Sequence, residues 1–396
     1  MSVRRRIVVS GLIAQHPLLG GMTWHYLHYV LGFHRLGYDV LYLEDSGEWP
    51  YNLDGGESGE NFLERDCTAN VAYLARVMES FGLGDRWAYR CPIDGAWHGV
   101  PDARRQQALA TADLLVNVSG TLAQPGEYRG VDRLVYVDTD PVFTQVKLAE
   151  GDPAVRASVG AHDVHFTFGE ALAADGWHRT RQPVVLSEWR PDKPHGPSFT
   201  TVMNWWSYSE VARNGRKLGQ KDIEFARFLE LPSLVDVPLE IAVRGTRKGT
   251  LPGVDGNREP EQLHAGLTRH GWRVVDAISA CGGAEAYRDF IHASAGEWTV
   301  AKNAYVEGRS GWLGDRSPCY LAAGRPVIVQ DTGIGSVLPA GEGLLTFRTL
   351  EEAVAAVAEV KAHYDWHARR ARELAEALFD ADKVFVGLVE TALAES

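Results

Sequence analysis

Between residues 307 and 333 the chain places a glycine-rich loop ahead of an apolar helical run and an Ala-Gly-Arg-Pro turn. Gly311 and Gly314 leave backbone N–H groups open to approach, and the start of a helix adds unpaired N–H groups and a positive dipole end. Ser310 and Ser317 supply hydroxyl donors; Arg309 and Arg316 supply charge-assisted donors suited to phosphate oxygens. Trp312 and Asp315 complete the loop. A structural strand–helix–strand crossover needs neither serines nor arginines here. The segment 310–317 is therefore expected to bind a phosphate.

A second set lies near the N-terminus. Gly20 and Gly21 precede a helical run, so their N–H groups are expected to face an anion or a hydroxyl. His16 follows the first apolar strand and is a candidate general base, the alternative being a loop histidine bonded to backbone. His25 and His28 fall on one helical turn, but a pair without a third ligand favours packing over metal. Asp138-Thr139-Asp140 ends a strand. Such a pair suits a divalent metal, a base or an orienter of His16, or the cap of the next helix. Asp140 is carried as a catalytic candidate beside His16. Arg244 and Lys248 follow another strand and are carried as binding candidates, the alternative being surface cations. Trp205 and Trp206 would stack on a base or sugar, or pack in the core.

These residues need a scaffold that presents strand ends to one cleft. In the first half, apolar runs at 7–13, 40–44, 113–119, 134–138 and 164–169 alternate with helical patterns at 24–36 and 61–81. Three prolines in 187–198 mark a linker. The alternation then resumes. Strands are expected at 200–205, 239–244, 272–277, 297–301 and 326–330, and helices at 220–229, 262–270, 284–293, 315–323 and through 350–396. The expected fold is α/β, with two Rossmann-like domains facing a central cleft. Residues 1–190 would form the first domain and 199–375 the second, with 376–396 helical.

The 396 residues favour two domains. A formal net charge of −12 argues against a nucleic-acid partner. Four separated cysteines without a CxxC pair argue against a disulfide framework or a structural zinc site. No apolar run is long enough to span a membrane, and 7–13 reads as a strand, not a signal segment. A cytoplasmic protein is expected. GxGxxG is absent after the first strand, which disfavours a nicotinamide dinucleotide.

Gly20-Gly21-x3-His25 followed by Arg35-Leu36-Gly37-Tyr38-Asp39-Val40 resembles the opening of GT-B glycosyltransferases. The stretch 319–330 and the following 335–352 resemble the donor-binding core of that superfamily. The resemblance implies a nucleotide-diphosphate sugar as co-substrate, with 199–375 the donor domain, 1–190 the acceptor domain and 376–396 a helix crossing back to the first. It also implies Gly20 and Gly21 facing the sugar or phosphates, Arg244 and Lys248 neutralising the diphosphate leaving group, and no separate cofactor. Retaining relatives carry two spaced glutamates, whose places are taken here by Gly311 and Cys319; Asp315 would replace the ribose-holding one. Ser310-Gly311-Trp312 resembles a loop of inverting plant-type enzymes, and His16 matches their catalytic histidine, so inversion is favoured.

The expected activity is metal-independent transfer of a sugar to a hydroxyl of a small-molecule or glycan acceptor. Trp24, Tyr26, Tyr29, Trp49, Tyr51, Trp87 and Trp97 suit a flat natural-product acceptor. A nucleotide-sugar epimerase and a non-catalytic nucleotide-sugar-binding protein are the alternatives. A homodimer stays open.

Overall fold

The computed structural model describes residues 4–51, 66–172, 175–207, 209–213, 215–244 and 260–394. Runs such as Leu114–Val118 are buried along their whole length, without the polar alternation of a half-exposed strand. Continuous burial demands cover on both faces, and parallel strands joined through helices provide it.

Strands β1 (Arg6–Ser10), β2 (Asp39–Glu44), β3 (Trp87–Arg90), β4 (Trp97–Gly99), β5 (Leu114–Val118), β6 (Arg133–Asp138), β7 (Val164–Thr167) and β8 (His178–Arg179) form one sheet, ordered β4-β3-β2-β1-β5-β6-β7-β8. All neighbours are parallel except β3 and β4. The covering helices are α1 (Gly20–Arg35), α2 (Thr68–Ser80), α3 (Asp102–Ala110), α4 (Pro141–Ala149) and α5 (Pro153–Gly160). Of the helix expected at 61–81, positions 66–81 fall among the described residues, and Thr68–Ser80 forms α2.

The second sheet begins with β9 (Phe199–Asn204); β10 (Val211–Arg213) and β11 (Arg216–Leu218) form a separate hairpin. The sheet continues with β12 (Leu239–Arg244), β13 (Arg273–Asp276), β14 (Gly296–Thr299), β15 (Val327–Gln330) and β16 (Leu344–Phe347), all parallel, ordered β13-β12-β9-β14-β15-β16. Apart from β4 and β8, both sheets run third, second, first, fourth, fifth, sixth in chain order. That order puts a crevice where the first and fourth strands part, and ligands of open α/β sheets sit there.

The second sheet is flanked by α6 (Lys221–Phe225), α7 (Leu231–Leu234), α8 (Pro260–Arg269), α9 (Ala277–Cys281), α10 (Ala284–Ala293), α11 (Asn303–Gly308), α12 (Ser317–Ala322), α13 (Leu350–Ala362) and α14 (Tyr364–Leu378). The last helix, α15 (Ala381–Ala394), lies on α1. Phe385 stacks on Phe33 with ring centroids 4.0 Å apart. Gly32 makes room for it, since a Cβ there would stand 2.3 Å from the Phe385 ring. One core cluster runs from Ile7 and Trp24 through Trp189 and Tyr287 to Leu321 and Phe385, joining both sheets and the last helix.

The cysteine expectation needs correction. Cys67 and Cys91 form a disulfide, with Cα atoms 6.0 Å apart, between the start of α2 and the end of β3. Their separation of 24 in sequence carries no motif, and only the fold brings α2 beside β3. Cys281 and Cys319 are free and buried. No helix among the described residues is long and apolar enough to cross a membrane.

Candidate active site in the interdomain cleft

The strand ends of the two sheets meet at a cavity of about 500 Å³. His16, Gly20, Gly21, His25, Ser119 and Asp140 line it from the first domain; Asn204, Lys221, Lys302, Trp312, Asp315 and Arg316 line it from the second. The fold thus gathers residues nearly 300 positions apart at its two switch points.

The loop before α1 is docked on the second domain. Leu19 forms an antiparallel bridge with Gly282, and Gly283 N–H donates to the Leu18 carbonyl at 3.1 Å. A Cβ on Gly20 would lie 2.4 Å from the Gly283 carbonyl oxygen and from Tyr287 Cβ. Glycine is therefore required at this position for the domains to approach, whatever ligand its N–H meets.

His16 is half-buried and stacks on Tyr51, with centroids 5.0 Å apart. Burial lowers its pKa to about 4, so the ring is neutral at pH 7. The preceding loop is held by Glu44 at the end of β2. Its fully buried carboxylate accepts Ala14 N–H at 2.8 Å, Gln15 N–H at 2.6 Å and the Tyr42 hydroxyl at 2.7 Å. A dinucleotide-binding fold uses an acid near this strand end for a ribose. Here that acid grips its own chain.

His25, on α1, is buried, and its pKa is lowered by desolvation. Its Nε2 lies 3.3 Å from Ser119 Oγ and its Nδ1 3.5 Å from Asp315 Oδ2 across the cleft. Asp138 is buried; its carboxylate accepts from Asp140 N–H, Thr144 Oγ1 and Thr167 Oγ1, and burial pushes its pKa up to about 7. Asp140 makes no side-chain cap to α4. Its carboxylate instead takes the Lys302 ammonium at 2.9 Å and the Tyr305 hydroxyl, both from the second domain. Among the described residues no group of three His, Cys, Asp or Glu side chains is placed to hold a metal ion.

On the second domain, the loop residues divide by what they face. Ser310 is fully buried and its Oγ accepts Trp312 N–H at 3.3 Å. Gly311 adopts φ +70°, and its N–H donates to the Thr332 carbonyl at 2.8 Å. Trp312 stacks on Tyr305 at 4.3 Å and donates its indole N–H to the Thr139 carbonyl at 3.1 Å. Gly314 faces the Trp312 ring at 3.4 Å from where its Cβ would be. Ser317 is buried with its Oγ unpartnered. Cys319, at the place of the absent glutamate, is buried 3.6 Å from His28 Nε2, away from the cavity wall. Asp315 is 44% exposed on its side chain, toward the cavity.

Arg316 reaches the cavity wall, but its guanidinium is engaged elsewhere. It pairs with the buried Glu297 at 2.6 Å and donates to Thr299 Oγ1 at 3.0 Å and to the Val202 carbonyl. The Glu297 carboxylate favours its charged form and offsets desolvation. Arg316 thereby ties the loop to β14 and β9. Arg244 ends β12 in register with Asn204. Its side chain and Lys248 lie outside the described residues.

Sequence reasoning passed over Lys221, Lys302, Ser119 and Tyr305. Lys221 starts α6 and lines the cavity with no ion pair among the described residues. Burial, then the Arg316 and Lys302 charges, lower its pKa to about 7. Its signal in the sequence was a lysine on a helix start shortly after the domain's first strand. Of the seven first-half aromatics, only Tyr26 lines the cavity. Trp24, Tyr29 and Trp87 are core residues, and Trp205 is fully buried against Phe225.

No protein-family profile and no curated sequence matches the chain. Solved structures do. HepE of Anabaena in complex with UDP-glucose aligns at 12% identity over 98% of each chain, TM-score 0.57. An alpha-glucosyltransferase in complex with UDP aligns at 11% identity over 98% of this chain and 100% of that one, TM-score 0.55. Sucrose-phosphate synthase from Thermosynechococcus elongatus aligns at 12% identity over 98% of each, TM-score 0.53. Sheet order, cleft and full-length alignment agree: this chain has the GT-B fold of two Rossmann-like domains.

Proposed function

We propose that the protein transfers a sugar from a nucleotide-diphosphate sugar to a hydroxyl of a small apolar acceptor, without a metal. The observation that carries this is Lys221, an ammonium held in the cleft without an ion-pair partner among the described residues. A partly buried cation that desolvation pushes toward its neutral form regains its charge beside an incoming dianion. The alignments with structures solved with UDP or UDP-glucose support a donor of that class.

The diphosphate would rest between Lys221, the Gly20–Gly21 backbone and Lys302. Arg316 serves this site by fixing the loop. Leu12, Leu18, Met22, Tyr26 and Phe168 line the first-domain side and suit an apolar acceptor better than a glycan. A related alpha-glucosyltransferase was solved with UDP-glucose and DNA. The net charge of −12 disfavours such an acceptor here.

The proposal is tested by titrating UDP and UDP-glucose into the protein and into a Lys221→Met variant. Binding that weakens at least tenfold in the variant is expected. Equal affinity in both would refute the placement of the diphosphate.

A further inference from the structure

The acceptor proton must pass to a group that presents a lone pair to the cavity. Asp140 is a poor choice, because its carboxylate already accepts from Lys302 and Tyr305. His16 is neutral and stacks on Tyr51, and the Glu48 charge only partly offsets its burial, with no hydrogen bond between Glu48 and the ring among the described residues. His25 has both features that His16 lacks. One ring nitrogen faces a carboxylate and the other faces a hydroxyl.

We infer that His25 is the base of the transfer step, and that Asp315 of the opposite domain positions it, so the base is complete only in the closed cleft. The inference rests on the glycosyl-transfer reading. Asp315 would hold the proton of His25 on Nδ1 and leave Nε2 bare. The Ser119 hydroxyl at 3.3 Å marks how an oxygen approaches Nε2. Ser119 also contacts Thr139 Oγ1 at 2.7 Å, so it keeps a partner when an acceptor hydroxyl takes its place. Its backbone sits at φ +63°, a left-handed conformation uncommon for a non-glycine residue. That turn carries Ser119 off the end of β5 toward α1.

The rest of the pocket suits a neutral imidazole. The rings of Tyr26, Tyr29 and Phe168 stand edge-on to His25 at 4.8, 6.2 and 6.4 Å. Burial disfavours the charged ring, and the Asp315 and Asp140 charges partly offset it. Both polar contacts are long for hydrogen bonds, as catalytic contacts often are before substrate binds. In the step, the bond from the sugar's anomeric carbon to the β-phosphate oxygen breaks and its electron pair leaves with the diphosphate. The acceptor oxygen bonds to that carbon, and its proton passes to His25 Nε2. Asp315 stays ionised beside the imidazolium.

The test reads the ring directly. ¹⁵N–¹H correlation spectra of the histidine-labelled protein, with His25→Gln used to assign the signal, should show the Nδ1–H tautomer in the wild type. In Asp315→Asn, that preference should be lost or become mixed. An Nε2–H tautomer in the wild type, or an unchanged one in Asp315→Asn, would overturn the pairing. Activity gives the second arm, read as UDP release from UDP-glucose with water as acceptor. His25→Gln should slow release about 10²-fold or more while UDP still raises the melting temperature. Release at the wild-type rate would overturn the base assignment. Failure of UDP to stabilise either protein would instead strike the donor reading, leaving the tautomer result to judge the pairing alone.

Discussion

Lys302 Nζ lies 2.9 Å from Asp140 Oδ1, an ion pair between the helix start after β14 and the strand end after β6. Tyr305, one turn further along α11, bonds the same carboxylate oxygen. The two domains are therefore latched beside the cavity by a group the sequence presents only as an aspartate at a strand end.

The latch should govern closure more than stability. Asp140 is 42% exposed on its side chain, so the pair is screened and its loss should cost under about 1 kcal/mol in denaturant unfolding. Asp140→Asn should still populate more open conformers. Small-angle scattering should show a larger radius of gyration in the variant; an identical profile would count against a latch.

Arg316 and Glu297 should behave oppositely. Both are buried, and removing one partner strands a charge. Arg316→Ala is expected to lose about 3–5 kcal/mol of unfolding free energy. A variant of unchanged stability with weakened nucleotide binding would show that the guanidinium serves the ligand instead of the fold.

Lys221 gives a pH signature. Its pKa near 7 in the ligand-free protein means that a phosphate dianion finds the charged form fully below that pH and less above it. UDP affinity should fall as pH rises from about 6.5 to about 8. Lys221→Met should bind weakly and lose this dependence. Unfolding adds the linked sign: between pH 7 and roughly 10.4 the unfolded chain holds a proton that the folded chain lacks, so this group makes stability rise with pH. Calorimetric titration at several pH values checks the first effect.

The returning helix α15 should be integral to the fold. Phe385 is fully buried against Phe33 in the cluster that spans both domains. Phe385→Ala should cost about 3–5 kcal/mol by transfer and cavity terms. A loss under 1 kcal/mol in denaturant unfolding would mean the helix is only peripherally docked.

The sheet architecture was legible because buried parallel strands write themselves as continuous apolar runs, as at Leu114–Val118 and Val327–Gln330. Short elements were not. The helix Asn303–Gly308 carries Lys302 at its cap and was hidden, since six residues show no period. The cleft residues were legible as types but not as partners. Arg316 reads as a phosphate donor until β14 is seen to bring Glu297 beneath it. His25 reads as a packing residue until Asp315, 290 positions later, is seen to face it. Such pairings are set by tertiary approach, which single-sequence periodicity does not contain. The disulfide between Cys67 and Cys91 escaped for the same reason.

The central claim is that the cleft binds a nucleotide-diphosphate sugar, and a thermal-shift panel of UDP, TDP, GDP and CMP tests it most directly. One of these, at a hundredfold excess over its dissociation constant, should stabilise the wild type by about 2.7 kcal/mol and do markedly less for Lys221→Met. No shift with any of the four would contradict the account.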